Sequence, residues 1–122
     1  MKRITIIISI LLLGLAILCY YIFLKKEFSE YKTFTSPDKN LKLIVYIESN
    51  PYSLSFNSDL EYRMAYVELI DKNNKTLVKP SLFSNCNFVI GDLNVSWDTI
   101  NKVVYYNKFD SIDLKQMKMT CN

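Results

Sequence analysis

The hydrophobic pattern divides the chain into one continuous apolar run and a long region in which apolar and polar residues alternate. The run begins at Ile4, ends at Leu24 and contains no charged residue. A helix rises about 1.5 Å per residue, so about 20 apolar residues cross the roughly 30 Å hydrocarbon core of a bilayer. The run therefore predicts one transmembrane helix.

A cleaved signal and a lipoprotein leader are the two other interpretations of this run. A secretory signal has an apolar region of roughly 7–15 residues followed by small residues, whereas here the chain stays apolar beyond Gly14 and Ala16 as far as Leu24. A lipoprotein leader needs a small residue before its cysteine, and Cys19 follows Leu18. We therefore expect a permanent anchor.

The charges beside the run predict its orientation. Lys2 and Arg3 precede it, and Lys25 and Lys26 follow it. A short, positively charged N-terminal tail stays on the cytoplasmic side of a membrane, which would leave residues 27–122 outside the cytoplasm. We expect a single-pass protein of the bacterial inner membrane with its C-terminal domain in the periplasm.

Beyond the anchor the dominant pattern is period-two alternation, which predicts β-strands. The clearest strands are LKLIVYIES, starting at Leu41, and YRMAYVELI, starting at Tyr62. The polar stretches TSPDKN before the first strand and DKNNK after the second predict turns, the latter closing a hairpin with TLV. Four shorter strands are predicted nearer the C-terminus, in NFVI, LNVSW, KVVYY and SIDLK.

These elements predict an N-terminal transmembrane helix followed by a mainly-β domain, built as an antiparallel sheet or a small sandwich. Residues 1–26 form the tail and anchor, residues 27–34 a juxtamembrane segment and residues 35–122 the β domain. The spacing of Phe28 and Tyr31 predicts that the helix continues briefly past the membrane.

The net charge of +3 arises beside the anchor. Four of the 15 basic residues flank the apolar run, so beyond it the 12 acidic residues slightly outnumber the remaining basic ones. Nucleic-acid binding relies on clustered lysine and arginine, and this class of function is excluded.

Two cysteines, Cys86 and Cys121, lie beyond the anchor. An even number of cysteines in an exported domain is typical of disulfide pairing. We expect one disulfide between them; the alternative is two unpaired thiols.

The residue types required for most catalysis are missing. The chain has no histidine, which removes the commonest general base and transition-metal ligand, and its two glycines cannot form a phosphate-binding Gly-rich loop. Carboxylate pairs such as Asp110 with Asp113 are typical of solvated strand ends. We expect no enzymatic activity, no cofactor and no metal.

The segment NPYSLSFNSDLEYR, residues 50–63, is more aromatic than a plain loop requires. Interface centres are enriched in tyrosine, phenylalanine and arginine, so this segment is the candidate protein-binding surface. The alternative is that its aromatic side chains fold back to cover the sheet. The candidate partner-binding residues are Tyr52, Phe56, Asp59, Glu61, Tyr62 and Arg63.

Three segments between residues 35 and 106 resemble those of a known group of proteins: SPDKNLKLIVY, YVELIDKNNKTL and VSWDTINKVVYY. They resemble small, inner-membrane-anchored, uncharacterised proteins of Gram-negative bacteria that have a Ser-Pro-Asp-Gly turn and a later strand containing tryptophan. Lys39 stands where that turn usually has glycine. Some of these proteins are associated with toxin immunity, so the resemblance implies an immunity protein.

Together these features predict a membrane-anchored, periplasm-facing protein-binding module without catalytic activity, with an immunity protein that neutralises a delivered toxin as its concrete form. The alternative is an accessory subunit of a resident cell-envelope complex, recruited through its membrane helix.

Overall fold

The computed structural model describes residues 1–54, 56–81 and 84–121. An apolar helix is followed by two antiparallel sheets. The predicted fold class, a helix followed by a mainly-β domain, is confirmed.

The helix α1 spans Lys2–Cys19 and continues as one π-helical turn over Tyr20–Leu24. None of these residues is buried by the rest of the described chain. A helix of 23 residues extends about 34 Å. It is therefore long and apolar enough to cross a membrane, as the run from Ile4 to Leu24 predicted.

The predicted continuation of the helix past the membrane is wrong. Strand β1 occupies Phe28–Thr35 and pairs with the next strand along its whole length. The strand register shifts between Glu30 and Lys32, so the bulge at Tyr31 breaks the period-two pattern that would have marked a strand. The supposed juxtamembrane segment, residues 27–34, thus belongs mostly to the sheet.

Four further strands join β1 in the first sheet: β2 (Leu41–Glu48), β3 (Met64–Asp71), β4 (Thr76–Val78) and β5 (Phe88–Val89). The sheet has the order β1-β2-β3-β4, and β5 also pairs with β3. β4 pairs with the C-terminal end of β3, with Leu69 opposite Val78, and β5 pairs with its N-terminal end, with Met64 opposite Val89.

Both predicted turns in this sheet are present, and each is held by an aspartate. Between β1 and β2, the Ser36 hydroxyl donates to the Asp38 carboxylate and accepts from the backbone N–H of Leu41 at 3.0 Å. Between β3 and β4, the Asp71 carboxylate accepts from the backbone N–H of Lys75 at 2.9 Å. Such local acceptors replace the ladder hydrogen bonds that the turn gives up.

The second sheet contains β6 (Ser96–Asp98), β7 (Val103–Tyr105), β8 (Ser111–Asp113) and β9 (Lys118–Thr120). It is a four-stranded meander with the order β6-β7-β8-β9. β7 and β8 lie within predicted segments, and β6 overlaps the predicted segment LNVSW but ends one residue beyond it. The sequence predicts no strand at β9, because its single inward residue, Met119, is too short a pattern to identify one.

The two sheets share one hydrophobic core, as in a small sandwich. Alternate residues of β2 and β3 face Val104 and Ile112 of the second sheet, and the rings of Phe88 and Tyr106 lie 5.6 Å apart between them. The core residues of β2 and β3 are Leu43, Val45, Ile47, Ala65, Val67 and Leu69.

A disulfide joins Cys86 to Cys121, with 5.2 Å between their Cα atoms. Cys86 precedes β5 in the first sheet and Cys121 follows β9 in the second. The predicted pairing therefore ties the two sheets together.

Candidate functional site

The strand order gives the domain two distinct ends. β1 begins at Phe28, separated from the helix only by residues 25–27, and its eight residues extend about 26 Å. The β1–β2 and β3–β4 turns therefore lie far from the helix, at what we call the distal end. Residues 49–63 connect β2 to β3 at the opposite, proximal end.

The first part of the predicted binding segment is bonded directly to the end of the helix. The Asn50 side-chain amide donates to the carbonyl oxygens of Ile22, at 3.3 Å, and Lys25, at 2.9 Å. The backbone N–H of Leu54 donates to the carbonyl oxygen of Phe23 at 2.9 Å. The last carbonyls of a helix have no partner within it, so this loop supplies the missing donors.

Three of the predicted binding residues, Phe56, Asp59 and Arg63, hold the segment in shape. The Arg63 guanidinium lies over the Phe56 ring, 4.4 Å from its centroid, and its Nε donates to the carbonyl oxygen of Asn57 at 2.9 Å. Asp59 caps the short 3-10 turn Leu60–Tyr62 by accepting from the Glu61 backbone N–H.

The other predicted binding residues are exposed but separated by the fold. Tyr52 lies beside the helix end, while Glu61 and Tyr62 lie on the 3-10 turn. The structure therefore brings the six residues to the proximal end without gathering them into one cleft. Whether they contact a partner stays a prediction.

A cleft that sequence reasoning missed opens at the distal end. It has a volume of about 510 Å³. Its apolar lining comes from segments distant in sequence, namely Leu41, Trp97, Leu114 and Met117, and its polar rim from Ser36, Asp38, Asp98 and Lys102. We call this cleft the distal groove. Ile100, on the turn after β6, is 88% exposed beside it.

Two carboxylates make the rim of the distal groove acidic. A hydrogen bond from the Ser36 hydroxyl, followed by one from the Asn40 backbone N–H, lowers the pKa of Asp38. Hydrogen bonds from the backbone and then the side chain of Asn101 lower the pKa of Asp98. Both are therefore ionised at neutral pH, and among the described residues that line the groove they outnumber the basic side chains, represented by Lys102.

The turns around the distal groove contain residues in the left-handed backbone region. Lys39, Lys102 and Met117 have φ values of 63°, 57° and 50°. Non-glycine residues adopt positive φ uncommonly, and such positions concentrate at functional sites. Lys102 and Met117 also line the groove.

The sequence contained one signal for this site. Trp97 is the only tryptophan in the chain, and the alternation of apolar and polar residues in LNVSW predicts that Leu93, Val95 and Trp97 point inward. All three are half-buried against the core, and Trp97 also forms part of the groove wall.

The distal groove presents apolar and charged side chains to solvent. Among residues 1–54, 56–81 and 84–121, no group of three histidine, cysteine, aspartate or glutamate side chains is placed to hold a metal ion. An apolar lining that includes tryptophan and methionine, with a charged rim, is typical of protein-binding surfaces. Comparisons with protein-family models, curated proteins and solved structures find no match to this chain.

Proposed function

We propose that this protein is a non-catalytic, membrane-anchored binding module that holds a protein partner in the distal groove. The observation that carries the proposal is the position of the groove: it opens at the end of the β domain opposite the helix. A helix in the bilayer leaves that end exposed to solution, where a partner can reach Trp97 and Met117.

The disulfide supports an extracytoplasmic location for the domain. Disulfides persist in oxidising compartments such as the periplasm and are rare in the cytosol, and Cys86 and Cys121 are joined. With Lys2 and Arg3 retained on the cytoplasmic side, the helix is a signal-anchor in the inner membrane and the β domain faces the periplasm.

The groove favours a partner segment with an apolar side chain and a positive charge. The apolar side chain packs against Trp97 and Met117, and the positive charge lies near Asp38 and Asp98, which are ionised at neutral pH. An immunity protein that masks a basic surface of a delivered toxin fits this chemistry and the resemblance described above. The transmembrane helix keeps such a protein at the membrane, where the toxin arrives.

Recovery of the partner from the native host tests the proposal. The full-length chain, tagged at its C-terminus, is purified from membranes of cells in which contact-dependent secretion is active, and retained proteins are identified by mass spectrometry. We expect one secreted protein in near-stoichiometric amount. Recovery of resident membrane proteins alone would contradict the immunity function.

A matched pair of variants tests the groove. Met117→Gly removes a groove side chain at a backbone position that glycine adopts readily, and Asn74→Gly makes the same change at φ 64° in the β3–β4 turn, outside the groove lining. We expect Met117→Gly to weaken partner binding about tenfold, the loss typical of a central contact, and Asn74→Gly to leave it unchanged. If both variants bind the partner equally well, the groove is not the binding site. In that case, loss of binding on Tyr62→Ala would assign it to the proximal segment predicted from sequence.

An accessory subunit of an envelope complex is the second candidate. The helix has no buried residue, and among the described residues no atom beyond its own backbone and the residues adjacent to Gly14 lies within 4 Å of a Cβ placed on that glycine, so a second helix can approach there. An anchor exchange separates the two functions. The exchange should replace residues 4–19 only, because Ile22 and Phe23 bond the β domain. A subunit recruited through its helix loses its partner in this exchange, and an immunity protein retains it.

A further inference from the structure

The segment over residues 50–54 has its polar residues inside and its apolar residues outside. Asn50 and Ser53 are 7% and 6% exposed, whereas Tyr52 and Leu54 are 69% and 78% exposed. A loop facing water usually has the opposite arrangement, because exposed apolar surface is unfavourable in water and buried polar groups require hydrogen-bond partners. The inversion indicates that the outer surface of this loop meets an apolar environment.

The buried asparagine holds the loop in this conformation. The Asn50 side-chain oxygen accepts from the backbone N–H of Tyr52 at 3.1 Å, and its amide nitrogen donates to the carbonyl oxygens of Ile22, in the helix, and of Lys25, directly after it. The backbone N–H of Ser53 also donates to the Asn50 carbonyl at 3.2 Å. The outward direction of the apolar side chains is therefore built into a hydrogen-bonded turn.

The hydrogen bond from Leu54 to Phe23 gives the depth of the loop relative to the helix. One helical residue, about 1.5 Å, separates Phe23 from Leu24, the end of the apolar run. The loop backbone therefore meets the helix at the edge of the hydrocarbon core when the helix spans a bilayer.

Side chains at the same level of the helix have the composition of a membrane interface. The Lys25 ammonium lies 5.2 Å from the centroid of the Tyr21 ring, and the two lysines after the helix can reach the headgroups. Tyrosine is enriched where apolar and polar layers meet. The exposed side chains at this level of the helix are Tyr20, Tyr21, Ile22, Phe23 and Leu24.

We propose that residues 50–54 form a second membrane contact, in which Tyr52 and Leu54 insert into the boundary between headgroups and hydrocarbon beside the helix. The inference rests on the membrane anchoring proposed above. With the helix and this loop both in lipid, the β domain has a fixed tilt on the bilayer. The contact assigns the outer part of the loop to lipid, while Glu61 and Tyr62 on the adjacent turn stay outside it.

Spin labelling of the full-length chain tests the contact. The protein is reconstituted into vesicles of phosphatidylethanolamine and phosphatidylglycerol without reductant, so that the Cys86–Cys121 disulfide is kept. One sample carries the label on the native Cys19, which is exposed on the helix. The others carry it on Leu54→Cys, Tyr52→Cys or Ile100→Cys, each combined with Cys19→Ser. Collisions with oxygen report lipid, and collisions with a water-soluble nickel chelate report water.

We expect the labels at positions 52 and 54 to collide with nickel much less often, and with oxygen more often, than the label at position 100. Their collision rates should approach those of the label at Cys19. The label at position 100, where Ile100 is 88% exposed at the distal end, keeps its nickel collisions. If the labels at 52 and 54 behave like the label at 100 while Cys19 is protected, the loop contact is overturned and the anchor stands. If Cys19 is as accessible to nickel as position 100, the anchoring itself fails, and the loop contact fails with it.

Discussion

The backbone N–H of Leu54 donates a hydrogen bond of 2.9 Å to the carbonyl oxygen of Phe23, so the β2–β3 connection closes the end of the apolar helix. A helix carbonyl without a partner costs several kcal/mol in a medium that lacks water. Asn50 satisfies two further carbonyls at the same place. The last turn of the helix and the β domain are therefore one folding unit, joined by more than the linking residues 25–27.

Asn50→Ala removes two donors from this junction. Because Asn50 is buried and its amide donates to two carbonyl oxygens at the end of the helix, those of Ile22 and Lys25, we expect the free energy of unfolding to fall by about 1–3 kcal/mol. Urea unfolding of the full chain in detergent micelles, followed by Trp97 fluorescence, measures the change. Asn73→Ala is the control, since Asn73 is exposed and bonds Asp71 through its backbone N–H. Equal stability of the two variants would contradict the capping role of Asn50.

Removal of the disulfide should destabilise the sandwich. Cys86 and Cys121 are separated by 35 positions, and closing a loop of this length contributes about 3–4 kcal/mol in the chain-entropy model. We expect the double variant Cys86→Ala, Cys121→Ala to lose this amount in thermal or urea unfolding. Cys19→Ser, which alters the free cysteine in the helix, should leave the unfolding of the β domain unchanged. An unchanged midpoint in the double variant would show that packing alone holds the two sheets together.

The aspartate turns at the distal end should loosen only in acid. Hydrogen bonds lower the pKa of Asp38 and of Asp98 below the reference value of 3.8. A lowered pKa in the folded state means that the carboxylates contribute stability above pH 3.8, and that this contribution is lost as pH falls through their folded-state pKa values. We expect the melting temperature to be insensitive to these two groups from neutral pH down to about pH 4 and to fall below it. The variant Asp98→Asn should show a shallower decline, and an identical decline would rule out Asp98 as its source.

Truncation of a core leucine in β2 should lower the stability of the domain much more than truncation of an exposed side chain in a turn. Leu43 is completely buried between the sheets, so Leu43→Ala is expected to cost about 2–5 kcal/mol, a large share of the stability of a small domain. Ile100→Ala removes a side chain that is 88% exposed and should change stability by less than about 0.5 kcal/mol. Chemical unfolding curves compare the two. A comparable loss in both variants would indicate that the turn carrying Ile100 packs more closely than its exposure implies.

Local pattern was sufficient for much of the architecture. The uncharged run from Ile4 to Leu24 determined the helix because length and polarity alone decide whether a segment can span a membrane. Alternation determined β2 and β3, and aspartate-rich turns marked their ends, because a turn side chain bonds backbone a few residues away. The pairing of Cys86 with Cys121 also followed from the sequence, because two cysteines in a domain expected outside the cytoplasm are typical of a disulfide.

The tertiary structure decided what depends on partners distant in sequence. The spacing of Phe28 and Tyr31 predicted a short continuation of the helix, whereas pairing with β2 makes Phe28–Thr35 strand β1. Three turns that are separate in sequence come together beside Trp97 to form the distal groove. A local hydrophobic pattern does not indicate which distant turns will meet. Likewise, the sequence identified 50–63 as unusually aromatic, but only the hydrogen bonds from Asn50 and Leu54 to the helix end place its first part beside the apolar run. A short-range pattern reports which face of an element is apolar, whereas the identity of the surface that covers that face is set by long-range packing.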